Sequence, residues 1–487
     1  MPPTDTAREV QHLLSQQDFG QALQVAERWV QKQPGVLAAW MGVARAALGI
    51  GMLGRADSAI TRAFAMAPKD PQVIFFRSAI DHRIGRSDVA IERLQSLARM
   101  NHPVALDAAL ALAEALHRTA RHAELRELIA AGGAWLQDER AILYTSRALS
   151  NSDPAAAIDV LQQFARSNAA SWLRRFAGFD AVRLLDAAGR YREAFDLATH
   201  LHATTDSRFD VRGLEQEVER QRALLARGAV WCPPRAPAVH GISLVVSLPR
   251  SGTTLLEQML DRHPKVTGIG EYDGIVNLGD DLVGTGLWPD QLNMLSAPQA
   301  TAFQKRYVDG ARTLLRPGTT HAFDKMLLTW LWLPAVASVL PGATALHMAR
   351  DPRDMAVSLF LSNFHPHAMG WTRSFAEIQR VIAAERSLLP HALETLQIPH
   401  ETVVYERLVE RPTETVERCL RRMGLPMDAA VLQPERNTRT VHTLSHDQVR
   451  KPINTGSIDR WKNYAWAFDA SWKPLVDMHD RRRADAV

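Results

Sequence analysis

Cysteine is almost missing from this chain: 487 residues contain two, Cys232 and Cys419. Two thiols cannot make a disulfide framework, and their spacing matches no metal site. Long apolar runs are missing too. No stretch approaches the ~18 uninterrupted apolar residues that would cross a bilayer. The most apolar window, Val36–Gly54, is broken by Arg45. Met1–Gln17 is polar and lacks the apolar core of a signal peptide. No membrane association is expected, and a reducing, cytoplasmic setting fits. An excess of one charge is also lacking, since 57 basic residues face 53 acidic ones, a net charge of +4. That balance gives no reason to expect a nucleic-acid partner. What remains is 46% apolar and 23% charged residues, the composition of a folded chain, at a length that calls for two or three domains.

The first ~230 residues are rich in Ala, Leu, Arg, Gln and Glu and read as helix after helix. A short polar turn followed by an early Ala or Leu recurs at Asp18–Ala22, Gly54–Ala59, Gly85–Ala90, Arg121–Leu125, Asp153–Ala157 and Gly189–Ala194, spaced by 31 to 37 residues. Pro34 and Pro68 lie 34 residues apart, each ending a helix, and Trp40 follows the first. This period of helix–turn–helix units resembles the tetratricopeptide repeat. Such units cannot bury their apolar faces alone, so stacking would build a continuous core and a curved surface. The alanines are expected as packing residues.

Cys232-Pro233-Pro234-Arg235-Ala236-Pro237 cannot continue a helix and is read as a linker. The expected domains are 1–228, a linker at 229–240, and 241–487. Beyond the prolines the pattern changes. Gly241–Leu248, Ala343–Ala349 and Glu401–Tyr405 are short β-branched or apolar runs. Helices are expected over Gly252–Arg262, over Pro352 to about Ser362, and from Pro412. Strands alternating with helices imply an α/β domain with a mostly parallel sheet.

Pro249-Arg250-Ser251-Gly252-Thr253-Thr254 falls between a strand and a helix. A helix N-terminus presents free N–H donors and the positive end of its dipole. Gly252 allows close approach of an anion; Ser251, Thr253 and Thr254 add hydroxyls, and Arg250 adds charge. A nucleotide triphosphatase is disfavoured, because Thr253 stands where a Walker loop needs Lys. Exactly one hundred residues after Arg250 comes Arg350-Asp351-Pro352-Arg353-Asp354, with Ser358 eight residues after Arg350. Asp351 is suited to cap a helix and Pro352 to open it. Arg350 and Ser358 could then hold a second phosphate.

Together these segments resemble the sulfotransferase family, and in particular its tyrosylprotein branch and bacterial repeat-fused relatives. The segments Val404–Pro412 and Ser445–Asn454, continuing to Arg460-Trp461, carry the same likeness, which spans about Ile242 to Tyr464. The resemblance implies a multidomain chain: an all-α tetratricopeptide-like solenoid, then an α/β P-loop-type sulfotransferase domain. It implies 3′-phosphoadenosine 5′-phosphosulfate as co-substrate, without a metal. Arg250, Ser251, Gly252, Thr253 and Thr254 would grip the 5′-phosphosulfate. Arg350 and Ser358 would grip the 3′-phosphate, with Tyr405 and Lys451 nearby. Glu271 corresponds to the family's catalytic Glu and Lys325 to its catalytic Lys. Arg250 and Ser445 complete the catalytic set.

Sulfuryl transfer is an in-line displacement, so positioning and charge stabilisation are the protein's main tasks. Glu271 would accept the acceptor's proton, with His263, His442 and His446 as rival bases. A phenol with a pKa of about 10 yields its proton to a carboxylate of about 4.3 only late in the reaction, or to one raised by burial. The acceptor expected is a protein tyrosine, docked on the repeats. A carbohydrate, lipid or small phenol stays open, as does an inactive transferase domain serving as a binding protein.

Overall fold

The computed structural model describes residues 5–485, apart from 17, 51, 208, 328 and 438–451. Two compact units emerge, one ending at Asp180 and the other beginning at Ala181.

The first unit is helical. Its helices include Phe19–Lys32, Leu37–Gly49, Leu53–Met66, Pro71–Arg83, Ser87–Ala98, Val104–Arg118, His122–Ala130 and Pro154–Ala165. Local chemistry sets their starts. Asp18 accepts from the Gln21 N–H at 3.1 Å, Asp70 from those of Gln72 and Val73 at 2.8 and 3.2 Å, and Asp153 from that of Ala156 at 3.0 Å. Each aspartate satisfies donors that the helix cannot. Pro71 and Pro154 open their helices, where a missing N–H costs nothing. The Trp40 indole donates to the Pro34 carbonyl at 2.8 Å and fixes the turn between two helices. The recurring turn segments all fall at helix starts. Ala22, Ala56, Ala90 and Ala157 are fully buried. The fourth segment departs from this: Ala123 is exposed and Leu125 fills the core instead.

The second unit is built on five strands: β1 (Ile242–Val246), β2 (Val266–Gly270), β3 (His321–Asp324), β4 (Thr344–Ala349) and β5 (His400–Val404). They lie in the order β2-β3-β1-β4-β5, and every neighbouring pair is parallel. β1, β3 and β4 are buried along their whole length, as strands covered on both faces must be. β2 and β3 had no clear signal in the sequence. β2 is Val-Thr-Gly-Ile-Gly and β3 is His-Ala-Phe-Asp, too short and too mixed to show a pattern. Their partners define them: Val266 pairs with His321, and Leu244 with Asp324.

Residues 181–240 belong to this second unit. The helix Tyr191–Ala203 places Phe195 4.9 Å from Phe360, and His202 donates to the Phe360 carbonyl at 2.8 Å. In the next helix, Val211–Leu225, Glu215 pairs with Arg380 and Gln221 donates to the Leu331 carbonyl at 3.0 Å. That helix ends at Leu225, ahead of the prolines, which lie in the stretch before β1. They do not leave a loose tether, because Trp231 and Cys232 are buried. Trp231 donates to the Pro289 carbonyl at 2.7 Å and Cys232 to that of Pro334 at 3.0 Å. Burial pushes both thiols, Cys232 and Cys419, up to about 12. No helix among the described residues is long and apolar enough to cross a membrane.

Candidate active site

Because the five strands are parallel, their carboxyl ends share one edge of the sheet. Each end delivers one sequence-predicted residue: Arg250 after β1, Glu271 after β2, Lys325 after β3, Arg350 after β4 and Tyr405 after β5. The chain lays β2 and β3 on one side of β1, then β4 and β5 on the other. Ligands of open α/β sheets bind at such a reversal, beyond the strand ends.

The loop after β1 is held from beneath. The Ser247 hydroxyl is 2.8 Å from the Ser251 hydroxyl and 2.9 Å from the Met348 carbonyl. Ser251 in turn donates to the Leu248 carbonyl at 2.8 Å. Ser251 is therefore a brace of the loop, and its backbone is the part left to meet an anion. Gly252 caps the helix Thr253–Asp261 with φ +104°, and a Cβ there would overlap the Tyr405 ring. Only glycine meets both demands. Arg250 adopts φ +67°, a conformation rare for a residue with a side chain and typical of functional loops. Thr253 and Thr254 are buried at the helix start.

Arg350 and Ser358 converge on this loop. Arg250 Nε donates to the Ser358 hydroxyl at 2.7 Å, and Arg350 Nη1 donates to the Arg250 carbonyl at 2.8 Å. The Arg350 guanidinium stacks 4.4 Å from the Tyr405 ring centroid. Its Nη2 donates to the Ser457 carbonyl, and its Nε is buried without a hydrogen-bond partner among the described residues. No carboxylate among the described residues forms an ion pair with Arg350. Burial, then the nearby Arg350 and Arg460 charges, pull Arg250 down to about 10. A buried guanidinium such as Arg350, which forms no ion pair among the described residues, is costly, and an anion relieves the cost.

As expected, Asp351 caps the helix Pro352–Phe360, accepting from the Arg353 N–H at 2.8 Å. Asp354 on that helix accepts the backbone N–H groups of Asp459 and Trp461 at 2.9 and 2.8 Å. Burial pushes this carboxyl up to about 6. The Arg353 guanidinium lies 3.6 Å over the Trp461 ring. The segment after residue 451 is thereby fastened beside Arg350. Ser445 and Lys451 lie outside the described residues, as do His442 and His446.

Glu271 and Lys325 meet directly. Lys325 Nζ donates to Glu271 Oε1 at 2.7 Å; the lysine side chain is 2% exposed and the glutamate 47%. The lysine is thus a fixed, buried charge, and the glutamate carries the solvent-facing part of the pair. His263 uses both ring nitrogens on the backbone, one with the Pro426 carbonyl at 3.1 Å and one accepting from Lys265 at 3.1 Å. No lone pair is left there for a substrate proton.

The sequence reading missed the groups behind this edge. Glu257 accepts from the Gly270 N–H at 3.0 Å. Arg386 donates to the Arg350 carbonyl at 2.7 Å and to that of Leu475 at 2.7 Å. The Tyr307 hydroxyl donates to Asp324 at 2.7 Å. None sits in a motif, and only the tertiary fold brings them to the strand ends.

Residues 244–429 match the family model described as Sulfotransferase family. An uncharacterized protein of Aquifex aeolicus is 26% identical over 60% of this chain and 40% of its own length. Nodulation protein NoeE of Sinorhizobium fredii is 25% identical over 45% of this chain and 60% of its own. Protein-tyrosine sulfotransferase 1 of Danio rerio is 25% identical over 44% and 63%. The match thus spans between 40% and 63% of the length of these curated relatives. Among solved structures, the sulfotransferase domain from the curacin biosynthetic pathway is matched with 16% identity and a TM-score of 0.34, over 46% of this chain and 92% of that one. With the motifs, the strand-end geometry and the family model in agreement, residues 244–429 constitute a domain of the sulfotransferase family.

Proposed function

We propose that this chain moves a sulfuryl group from 3′-phosphoadenosine 5′-phosphosulfate to an acceptor hydroxyl, with protein tyrosine as the first acceptor to test. The observation that carries the reading is Arg350: a buried guanidinium with a free Nε, stacked on Tyr405 and bonded only to carbonyls among the described residues. Arg250 lies against it with Ser358. Two adjacent buried cations fit a ligand with two anionic groups, as the donor has.

The residues divide the work. The backbone at Gly252–Thr254 and the start of the helix Thr253–Asp261 hold the 5′ side of the donor. Arg350 and Ser358 hold the 3′-phosphate, and Tyr405 keeps the Arg350 plane in place. Lys325 and Arg250 stabilise charge on the departing oxygen as the sulfur–oxygen bond breaks. Glu271 takes the acceptor's proton as the new bond forms, which its exposure permits. Lys325 touches both tasks because it already holds Glu271 at 2.7 Å.

The tyrosine acceptor draws support from the protein-tyrosine sulfotransferases among the relatives, and the helical unit is proposed as tetratricopeptide-like and as the place where an acceptor protein docks. Incubation with a sulfur-labelled donor and a panel of tyrosine peptides, glycans, lipids and small phenols tests both donor and acceptor. Label on peptides upholds the reading. Label only on non-peptide acceptors replaces the acceptor, and no label with any acceptor, together with tight binding of adenosine 3′,5′-bisphosphate, makes the domain a binding module.

A further inference from the structure

β2 and β3 end side by side, and the next residue of each enters the site as the Glu271–Lys325 pair. A second set of contacts ties the same two strand ends together from behind. Tyr272, adjacent to Glu271, donates its hydroxyl to the Tyr307 carbonyl at 3.2 Å. The Tyr307 hydroxyl donates to Asp324 Oδ2 at 2.7 Å. Asp324, adjacent to Lys325, also accepts the Met326 N–H on Oδ1 at 3.0 Å. The two tyrosine rings lie 5.5 Å apart at 59°. Tyr272 occupies a slot made by two glycines, since a Cβ on either Gly274 or Gly310 would overlap it.

This linkage is expensive as mere packing. Tyr307 and Asp324 are fully buried, and a Phe facing an apolar residue would fill the same space without burying a carboxyl. Burial raises Asp324 to about 7, with Glu257 adding to the rise and the Tyr307 hydroxyl, the Met326 N–H and Lys325 opposing it. The Tyr307 donor is the part that a phenylalanine could not supply.

We infer that Tyr307 is a positioning residue: through Asp324 on one side and Tyr272 on the other, it holds Lys325 and Glu271 in register for sulfuryl transfer. It acts from the helix Ala297–Thr313 and touches neither donor nor acceptor. The inference rests on the functional reading given above, and its test separates the two.

Tyr307→Phe keeps the ring and removes one hydroxyl. The expected result is a fall in kcat of about 100-fold, the scale of a small misplacement at a reacting centre, with donor KM and adenosine 3′,5′-bisphosphate affinity unchanged. A crystal structure of the variant should show Lys325 Nζ and Glu271 Oε1 no longer in contact. A purely structural tyrosine would lower Tm, leave kcat per folded molecule intact and leave the pair in contact; that result overturns the inference. Should Tyr307→Phe fail to fold, Asp324→Asn replaces it, because it keeps an acceptor oxygen for Tyr307 and removes the charge beside Lys325. The same loss of kcat at unchanged donor affinity is expected, and full kcat counts against the idea. If the wild-type protein transfers no sulfuryl group, the functional reading fails, and the crystal structure alone decides whether Tyr307 holds the pair.

Discussion

Asp81 in the helical unit and Arg350 in the sheet unit are both buried charges, and they are treated in opposite ways. Asp81 is 1% exposed and is met by three guanidinium groups, from Arg77 at 2.9 Å, Arg86 at 3.2 Å and Arg93 at 2.5 Å. Its network is closed. Arg350 is 6% exposed, bonds only to carbonyls among the described residues and keeps a bare Nε. Its network is open. The wider units repeat the contrast. The helical unit buries mostly Ala, Leu, Ile and Val, whereas the sheet unit also buries Glu257, Asp324, Lys325, Arg350, Asp354, Glu385, Arg386 and Glu406. Buried charge is tolerated when partners close around it, or retained when a ligand completes it. Only the second arrangement announces a binding site.

The sharpest test of this contrast strikes the reacting pair. Lys325→Ala should reduce turnover by about 100- to 1,000-fold, as loss of a preorganised charge-stabilising donor does. Glu271→Ala should cost about 100- to 10,000-fold, the range of a general base. Both should bind adenosine 3′,5′-bisphosphate normally in calorimetry. Normal turnover in either variant would take that residue out of the mechanism. The 100-fold loss expected for Tyr307→Phe comes next in size.

Arg350→Ala should weaken adenosine 3′,5′-bisphosphate by about 10- to 100-fold, the worth of a charged hydrogen bond or two. It should not weaken adenosine 5′-monophosphate comparably. Equal losses for both nucleotides would move the 3′-phosphate elsewhere. Against the same contrast, Asp81 is expected to matter for folding alone.

Glu385 probes buried charge without touching the site. Burial raises its carboxyl from the ordinary value to about 7 in the folded protein. The folded state then holds a proton that the unfolded chain releases, so stability from this group is complete below about 4.5 and is lost as pH rises through 7. Glu385→Gln should escape that loss. Its advantage over the wild type in denaturant titrations should therefore grow from pH 4.5 to pH 8, by up to roughly 3 kcal/mol. An advantage independent of pH would show that folding does not shift the Glu385 carboxyl.

The smallest effect is expected where charge plays no part. Ala22→Leu overfills a fully buried position in the helical unit and should cost about 1–3 kcal/mol of stability. Adenosine 3′,5′-bisphosphate affinity should stay the same. A fall in affinity would show that the helical unit shapes the nucleotide site.

How much of this was legible beforehand differs between the units for a physical reason. Helix starts at Asp18 and Asp153 depend on residues three positions away, so local sequence reveals them. The sheet unit's anion loop was legible for the same reason, since strand, Gly252 and helix are contiguous. Arg350 and Ser358 were legible as a candidate phosphate pair from their place at a helix start, and Tyr405 through the family resemblance; all three converge on that loop. β2 and β3 escaped notice because four or five mixed residues carry no periodicity until a neighbouring strand supplies their hydrogen bonds. Proline chemistry stops a helix, but it does not prevent the flanking Trp231 and Cys232 from being buried.

The sequence by itself determined the succession of helices, the change to alternating strands and helices, and the identity of the anion-binding loop, because each depends on near neighbours along the chain. Tertiary structure decided that residues 21, 75, 100 and 155 positions beyond Arg250 stand on one edge. It also decided that Lys325 meets Glu271, that Tyr307 stands behind them, and that Arg350 forms no ion pair with a carboxylate among the described residues. The physical reason is the parallel sheet. It aligns all strand ends regardless of the chain between them, and so places charges together that no local pattern could pair.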